Sequence, residues 1–415
     1  MNKEENFKGI IISANVRKSE HVDDQVDELV QLAASINIDV IGVHVQNMHE
    51  INAKSYVGTG FLDEVAELYF DEENEDESSI DYVIVNDEIS ASQNRNIENR
   101  FDVKVIDRTQ VILDIFSQRA QSKVGQLQVE LAQLEYLVPR LKGQGINLSR
   151  LGAGIGTRGP GETKLETDRR HINTRIKEIR AQLKVIENHR ERYRERRTIN
   201  DVVKLSLVGY TNAGKSTLFN LLAKGETYEK DELFATLDPK TQQLVFPNGF
   251  QAIISDTVGF IQNLPTTLVE SFKSTLEEAK DSEFLIHVVD NSAPNSYHHF
   301  ETVEALLKQL DMQDIPQIVL FNKTDIDDTH HFIPDYPHMY VHKNMSGNDV
   351  RGSLLSLMIK QMKPYELVLN VQEQDHLYRL KRHTVVMEQE LDDDGNYHIK
   401  GYEPHGNWIK RILNR

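Results

Sequence analysis

The stretch VVKLSLVGYTNAGKSTLFNLLAK, residues 202–224, constrains the fold more than any other part of the chain. It has the pattern of a buried strand, a glycine loop and a helix, and G-x-x-x-x-G-K-S runs from Gly209 to Ser216 in the loop. Glycines allow consecutive backbone N–H groups to face an anion, and the N-terminus of the following helix adds positive potential. The sequence therefore predicts a phosphate-binding loop in an α/β domain.

The side chains of this loop match the needs of a nucleoside triphosphate. Lys215 is expected to place its charge on the β- and γ-phosphates, and Ser216 to supply an oxygen to Mg²⁺. We predict nucleotide contacts along the whole loop, from Gly209, Tyr210, Thr211, Asn212, Ala213, Gly214, Lys215, Ser216 and Thr217.

Two further motifs follow at the spacing of a triphosphate switch. DTVGF begins at Asp256, which can reach the Mg²⁺ shell, and the Gly259 N–H can contact the γ-phosphate. FATLDP places Thr236 where a threonine can close over Mg²⁺ and the γ-phosphate. The predicted Mg²⁺ ligands are Ser216, Thr236 and Asp256; the predicted catalytic residues are Lys215, Thr236 and Gly259; and Phe234 and Val258 are added to the nucleotide contacts.

The segment QIVLFNKTD predicts guanine specificity. It ends a strand with Asn322, Lys323 and Asp325, and a carboxylate there can accept both N–H groups on the guanine edge. The loop HKNMSG, residues 342–347, adds Lys343 and Asn344 as backbone contacts to the guanine oxygen. This motif favours GTP and argues against a remodelling ATPase or a small-molecule kinase.

Composition limits the classes of protein to which the chain can belong. Its 415 residues are 39% hydrophobic, enough for several packed cores. The absence of cysteine excludes disulfide frameworks and thiolate sites and is typical of a reducing compartment. The polar start MNKEENFKGI lacks the apolar core of a signal peptide, and no stretch approaches the ~18 apolar residues that span a bilayer. We expect a cytoplasmic monomer without stable membrane association.

Periodicity divides the chain into four predicted domains, which make it a multi-domain α/β protein. Strand and helix patterns alternate over 1–108, an N-terminal α/β domain; 201–363 form a GTPase domain with a mostly parallel sheet; and 364–415 form a small α+β domain with a hairpin at DDDG. Between them, 109–200 carry two apolar seams, one from Val124 to Leu141 and one from Ile172 to Ile186, spaced 3 and 4 residues apart. These seams predict a long antiparallel helical hairpin of two ~30-residue helices, roughly 45 Å long.

The hairpin carries a basic, glycine-rich tip, GAGIGTRGPGET. It contains G-x-G-x-x-G, but a helix precedes it rather than the strand that a dinucleotide-binding turn requires. Residues 119–197 hold 18 Lys and Arg against 9 Asp and Glu, a balance of +9 in a chain whose net charge is −18. We predict an RNA contact, with a solvated helix pair or a linker as the alternatives. The candidate residues are Arg140, Lys142, Arg150, Gly154, Gly156, Arg158, Gly159, Lys164, Arg169 and Arg170.

The combination of GTRGPGETKLE at 156–166 with the downstream GTPase motifs resembles the HflX family of ribosome-associated GTPases, over essentially the whole chain. The resemblance implies binding to the large ribosomal subunit and its rRNA, with the tip reaching toward the peptidyl-transferase region. It also implies splitting of stalled or idle ribosomes under stress, and GTP hydrolysis that ribosomes stimulate. An assembly GTPase that acts as a binding chaperone on immature large subunits is the alternative.

One departure concerns catalysis. Ras-like enzymes orient the attacking water with a glutamine after DxxG, and this chain has Phe260 there. An apolar ring cannot position water, so we predict slow intrinsic hydrolysis. The missing group is then another residue, K⁺ or ribosomal RNA. In the N-terminal domain, Thr59 and Phe61 stand in GTGF where the family often has GKGK, which lowers the expectation of a second nucleotide site.

Overall fold

The computed structural model describes residues 6–17, 22–69, 80–141, 160–198, 202–223, 240–257, 259–262, 279–327, 329 and 331–414, with side chains in the 160–198 helix described for 166–189. The described chain forms two compact units, one ending at Ile186 and the other beginning at Glu187. Each is considered by itself.

The first unit begins with the predicted α/β domain. Its four strands pair in parallel in the order β2-β1-β3-β4, with helices between them. Apolar runs such as Ile10–Ile12 are fully buried, as expected for strands covered on both faces. The elements are β1 Phe7–Val16, α1 Val22–Ala34, β2 Ile38–Met48, α2 Thr59–Tyr69, β3 Tyr82–Val85, α3 Ala91–Phe101, β4 Lys104–Asp107 and α4 Arg108–Arg119.

Helix α4, which the domain prediction placed in the arm, packs both on this domain and on the first helix of the arm. Its Val111, Ile112 and Phe116 are buried, and it packs against α1 and β4. Seven of its twelve residues are buried, which is typical of a helix packed inside a domain.

The helical arm consists of α5 Lys123–Leu141 and α6 Pro160–Thr198. The predicted seam is confirmed, because Leu127 and Leu131 are buried together with Ile176 and Ile179. The lengths differ from the expected ~30 residues each: α5 has 19 residues and α6 has 39, about 58 Å. Helix α6 continues past the seam because its flanking turns are rich in Arg, Glu and Lys, which are good helix formers.

The second unit contains the GTPase domain. Its sheet has the order β10-β9-β8-β5-β7-β6, parallel except for the β6–β7 hairpin. The elements are β5 Val203–Gly209, α7 Lys215–Ala223, β6 Lys240–Val245, β7 Gln251–Asp256, β8 Phe284–Asp290, α8 Ser296–Gln309, β9 Gln317–Asn322, β10 His338–Tyr340 and α9 Gly347–Ile359.

The C-terminal α+β module completes this unit. It comprises β11 Lys363–Asn370, α10 Gln374–His383, β12 Val385–Leu391, β13 Asn396–Glu403 and α11 Trp408–Leu413. The sheet order is β11-β13-β12, and the predicted DDDG hairpin joins β12 to β13. Val385 and Trp408 are buried in the same apolar cluster as Leu205 and Phe284 of the GTPase sheet, so the two domains share a core.

Candidate nucleotide-binding site

The topology brings the predicted nucleotide motifs to one edge of the GTPase sheet. Strand β5 lies between β7 and β8, and β9 follows β8. The phosphate loop follows β5, Asp256 ends β7 and Asn322 ends β9, so all three stand at carboxyl ends of parallel strands. The chain order reverses around β5, which is where open α/β sheets bind ligands.

Two glycines of the loop are required by close packing. A Cβ on Gly209 would lie 2.3 Å from the Val288 carbonyl oxygen, and one on Gly214 would lie 2.2 Å from the Asn322 Nδ2. Gly214 also has a φ of +85°, a conformation that side chains rarely adopt. The loop can therefore keep its shape only with glycine at these positions.

Lys215 is held inside the loop. Its Nζ donates to the backbone oxygens of Gly209, at 3.1 Å, and Tyr210, at 2.7 Å, and the side chain is buried. Burial lowers the pKa of Lys215 to about 8, against the opposing attraction of Asp256. A buried cation that donates to backbone oxygens and lies near one carboxylate is suited to receive phosphate oxygens.

Ser216 and Asp256 form a pair of oxygen donors beside this lysine. The Ser216 Oγ donates to the Asp256 Oδ2 at 2.7 Å, and Asp256 is completely buried at the end of β7. Mg²⁺ prefers hydroxyl and carboxylate oxygens together with substrate phosphates, so this donor set fits the predicted metal.

The DxxG segment lies directly against the phosphate loop. The Phe260 N–H donates to the Gly209 oxygen at 3.1 Å, and the Thr211 N–H donates to the Phe260 oxygen at 2.6 Å. A Cβ on Gly259 would lie 2.9 Å from the Thr211 Cα and 3.0 Å from the Lys215 Nζ. The Phe260 ring is buried. Both its chemistry and its burial make it unsuited to orient water.

The base-binding segments meet at the end of β9. The Asn322 Nδ2 donates to the Ala213 oxygen at 3.0 Å, which ties NKTD to the phosphate loop. The Lys343 N–H donates to the Asp325 Oδ1 at 3.3 Å, which brings the 342–347 loop beside the predicted guanine-binding carboxylate. Lys323 has a φ of +59°, and its Nζ lies 2.9 Å from the Asp290 Oδ2.

The sequence reasoning missed three residues at this site. Asp290 ends β8 and pairs with Lys323; its place at a strand's carboxyl end was the available signal. The His299 ring stacks on Tyr210 with centroids 3.8 Å apart, and the Gln262 N–H donates to the Tyr210 hydroxyl at 2.9 Å. No local motif indicates these last two contacts, because they arise only when α8 and the segment after DxxG pack on the loop.

Several predicted residues lie outside the described part of the chain. These are Phe234, Thr236, Val258, Lys142, Arg150, Gly154, Gly156, Arg158 and Gly159, together with the side chain of Lys164. Arg169 and Arg170 are described, and both are exposed on α6.

Arg140, which was predicted to contact RNA, lies in an ion pair in this structure. Its Nη2 lies 2.9 Å from the Asp107 Oδ2, and only 15% of the side chain is exposed. The physical reason is that the end of α5 packs beside the carboxyl end of β4, where the buried Asp107 requires a cation. The charge of the basic segment did not indicate this ion pair.

A membrane-spanning segment is absent from the described residues, since none of their helices combines enough length with enough apolar character.

Three family models match the chain. The model described as GTP-binding GTPase N-terminal matches residues 23–117, that described as GTP-binding GTPase Middle Region matches 119–197, and that described as 50S ribosome-binding GTPase matches 204–323.

Relatives match over most of the chain. The GTPase HflX of Alkalihalophilus pseudofirmus is 46% identical over 402 residues, covering 95% of this chain and 93% of the relative. The GTPase HflX of Caldanaerobacter subterraneus subsp. tengcongensis is 50% identical over 73% of this chain and 70% of its own, and that of Escherichia coli is 40% identical over the same shares. A solved GTP-binding protein from Sulfolobus solfataricus in complex with GDP is 21% identical, with a TM-score of 0.43 over 85% of this chain and 98% of that one.

Proposed function

Because the chain belongs to the HflX family of GTPases, we propose that it binds the large ribosomal subunit through rRNA and splits stalled or idle ribosomes under stress. The chain is a GTP hydrolase that binds GTP and GDP. The proposal is that the bound nucleotide controls attachment of the protein to the ribosome.

The observation that carries this proposal is an exposed basic helix in the same chain as the nucleotide site. Arg169 and Arg170 are exposed near the start of α6, next to the glycine-rich segment, and residues 119–197 have a balance of +9. Exposed arginines supply sequence-independent contacts to RNA phosphates, and glycine lets a backbone approach them closely. The acidic remainder of the chain restricts that contact to this segment.

Mg²⁺ fits the nucleotide site, where Ser216 and Asp256, with Thr236, would hold it. When bound, it neutralises charge that develops on the transferring phosphoryl group. Lys215 binds the β- and γ-phosphates, and the Gly259 N–H contacts the γ-phosphate. These contacts order the segments around Thr236 and DTVGF, which favours the ribosome-binding state. Hydrolysis removes the contacts and releases the protein.

Hydrolysis by the free protein is slow in this proposal, because Phe260 cannot position water. The ribosome supplies the missing group or orders a residue or K⁺ that does so. The protein acts as a monomer in the cytoplasm, where the ribosomes are.

Sedimentation tests the proposal. Ribosomes are spun through sucrose with the protein under GTP, GDP and a non-hydrolysable GTP analogue. We expect co-sedimentation with the large subunit under the analogue, weak attachment under GDP, and separated subunits under GTP. Equal attachment in all three nucleotide states would exclude a GTP-controlled ribosome factor. Light scattering of intact ribosomes distinguishes the assembly alternative, because an assembly chaperone leaves their scattering unchanged.

A further inference from the structure

The carboxylate of Asp107 is a meeting point of three elements in the first unit. It stands at the end of β4, is completely buried, and accepts four hydrogen bonds. Two donors are local backbone groups, the Ile89 N–H at 3.1 Å and the Gln110 N–H at 2.9 Å. The other two come from α5: the Tyr136 hydroxyl at 2.8 Å and the Arg140 Nη2 at 2.9 Å. This buried group therefore joins the sheet to the arm.

Arg140 is fixed by more than this ion pair. Its guanidinium carbon lies 3.4 Å from the centroid of the Tyr136 ring, and its Nη2 also donates to the Ile89 oxygen at 2.7 Å. Its Nη1 donates to the backbone carbonyl oxygen of Tyr136 at 3.0 Å. A planar fork that stacks and donates in two directions is specific to arginine, and lysine cannot reproduce it.

The position of this cluster along α5 determines what it can do. Tyr136 and Arg140 occupy the last turns of the helix, which ends at Leu141, just before the basic glycine-rich segment. The earlier part of α5 buries Val129 and Ala132 and packs against α4. The arm therefore contacts the N-terminal domain at two places along α5. The polar contact at Asp107 lies nearer to the glycine-rich segment than the apolar contact does.

The other arginines of the arm behave differently. Arg175 pairs with Glu130 and Arg180 pairs with Glu135, but these pairs join α5 only to α6. Their side chains are 42% and 64% exposed, against 15% for Arg140. Exposed pairs contribute little to holding a structure, whereas removal of one partner of a buried pair leaves an uncompensated charge.

We propose that Asp107, Tyr136 and Arg140, here named the arm clamp, fix the direction in which the helical arm leaves the N-terminal sheet. These are positioning residues that do not contact RNA themselves. A pre-oriented arm binds more tightly because its ordering cost is met before the ribosome is engaged. The tighter ribosome binding rests on the proposed function, whereas the fixed direction of the arm does not.

The absence of natural cysteine makes the direction of the arm measurable. Cysteines introduced at Leu68, which is 67% exposed on α2, and at the exposed Asp168 of α6 can carry nitroxide labels for pulsed EPR distance measurements on the full chain. We expect a narrow distance distribution in the parent and a broadened, shifted one in Arg140→Met. Arg180→Met, the same substitution on an exposed arm arginine, is the matched control and should keep the narrow distribution. Arg140→Lys should be intermediate.

Ribosome co-sedimentation of the same variants tests whether the fixed direction of the arm affects ribosome affinity. We expect Arg140→Met to lower ribosome affinity about tenfold, a loss of 1.4 kcal/mol, with GTP hydrolysis by the free protein unchanged. A distribution that stays narrow in Arg140→Met would overturn the clamp, whatever the ribosome binding. A broadened distribution with unchanged ribosome affinity would support the clamp and contradict docking through the arm. If Arg140→Met does not fold, Tyr136→Phe removes one donor from Asp107 and gives the same readout.

Discussion

Lys215 makes nucleotide binding sensitive to pH. Its pKa is lowered by burial to about 8, whereas the unfolded chain holds that proton to about pH 10.4. Between these values the unfolded state binds more protons, so the nucleotide-free protein gains stability from this group as pH rises. A bound triphosphate favours the charged lysine, so binding above pH 8 must take up a proton. We expect GTP affinity, measured by titration calorimetry, to fall between pH 8 and 9, approaching roughly tenfold per unit.

Lys215→Met is the control for this pH dependence. It should bind GTP weakly and show no comparable slope between pH 8 and 9. An equal slope in the parent and in this variant would mean that another group takes up the proton.

We predict that Asp325 determines the choice of base. Its carboxylate faces the backbone of the 342–347 loop, as expected for an acceptor of the guanine N–H groups. Asp325→Asn replaces one acceptor with a donor, so the mismatch with the guanine edge should weaken GTP binding by about 1–3 kcal/mol, roughly 5- to 150-fold. Xanthosine triphosphate, which carries an oxygen where guanine carries an amino group, should bind the variant better than GTP in competition measurements. A variant that still prefers GTP would contradict the assigned role.

For single residues, the sequence predicts the positions of contiguous motifs well, but it predicts contacts between residues that are distant in the chain poorly. Gly209, Asp256 and Asn322 lie as their motifs indicate, because each of them ends a strand whose position the parallel sheet determines. The stacking of His299 on Tyr210 joins residues 89 positions apart (299 − 210) and has no local pattern. The ion pair of Arg140 with Asp107 was missed for the same reason, since the two residues belong to different elements.

Among the elements, α6 carries the charge that we assign to RNA binding. Arg169 and Arg170 are exposed near its start, and Lys177 and Lys184 are exposed further along the same helix. We expect Arg169→Glu with Arg170→Glu to weaken ribosome binding and to reduce the slope of log affinity against log salt by about two, one for each lost phosphate contact. GTP affinity of the free protein should remain unchanged.

The pair Lys177→Glu with Lys184→Glu is the control for this experiment, because it makes the same change in charge on the same helix. It should retain most of the affinity and the salt slope. If both pairs lose affinity equally, the attraction depends on total charge and the contact is not localised at the tip.

The apolar seams predicted that the arm consists of two helices, but they did not predict where those helices begin and end. The 3 and 4 spacing predicted the residues that pack α5 against α6, because the apolar period is a local property, but it did not predict Val129 and Ala132, which α5 also buries. Helix α4 was predicted as part of the arm because the pattern changes at Thr109, and no local pattern indicates its contacts with α1 and β4. The 39-residue length of α6 likewise depends on polar turns that carry no seam.

Over the whole second unit, we expect the shared core to make the C-terminal module unfold cooperatively with the GTPase domain. Trp408 is the chain's only tryptophan, and it is buried in the cluster that includes Leu205 of the central strand β5. We expect denaturant unfolding followed by tryptophan fluorescence to report nucleotide binding, although Trp408 is not a predicted nucleotide contact. GDP at 100 times its dissociation constant should raise the free energy of unfolding read at Trp408 by about 2.7 kcal/mol.

Lys215→Ala provides the comparison, because it weakens nucleotide binding without touching Trp408. GDP at the same concentration should then shift the fluorescence transition much less. If GDP leaves the Trp408 transition of the parent in place while it protects the GTPase domain from proteolysis, the module unfolds independently and the common core does not couple the two. A single shifted transition means that any change in the 364–415 module that weakens packing around Trp408 also lowers the stability of the nucleotide site.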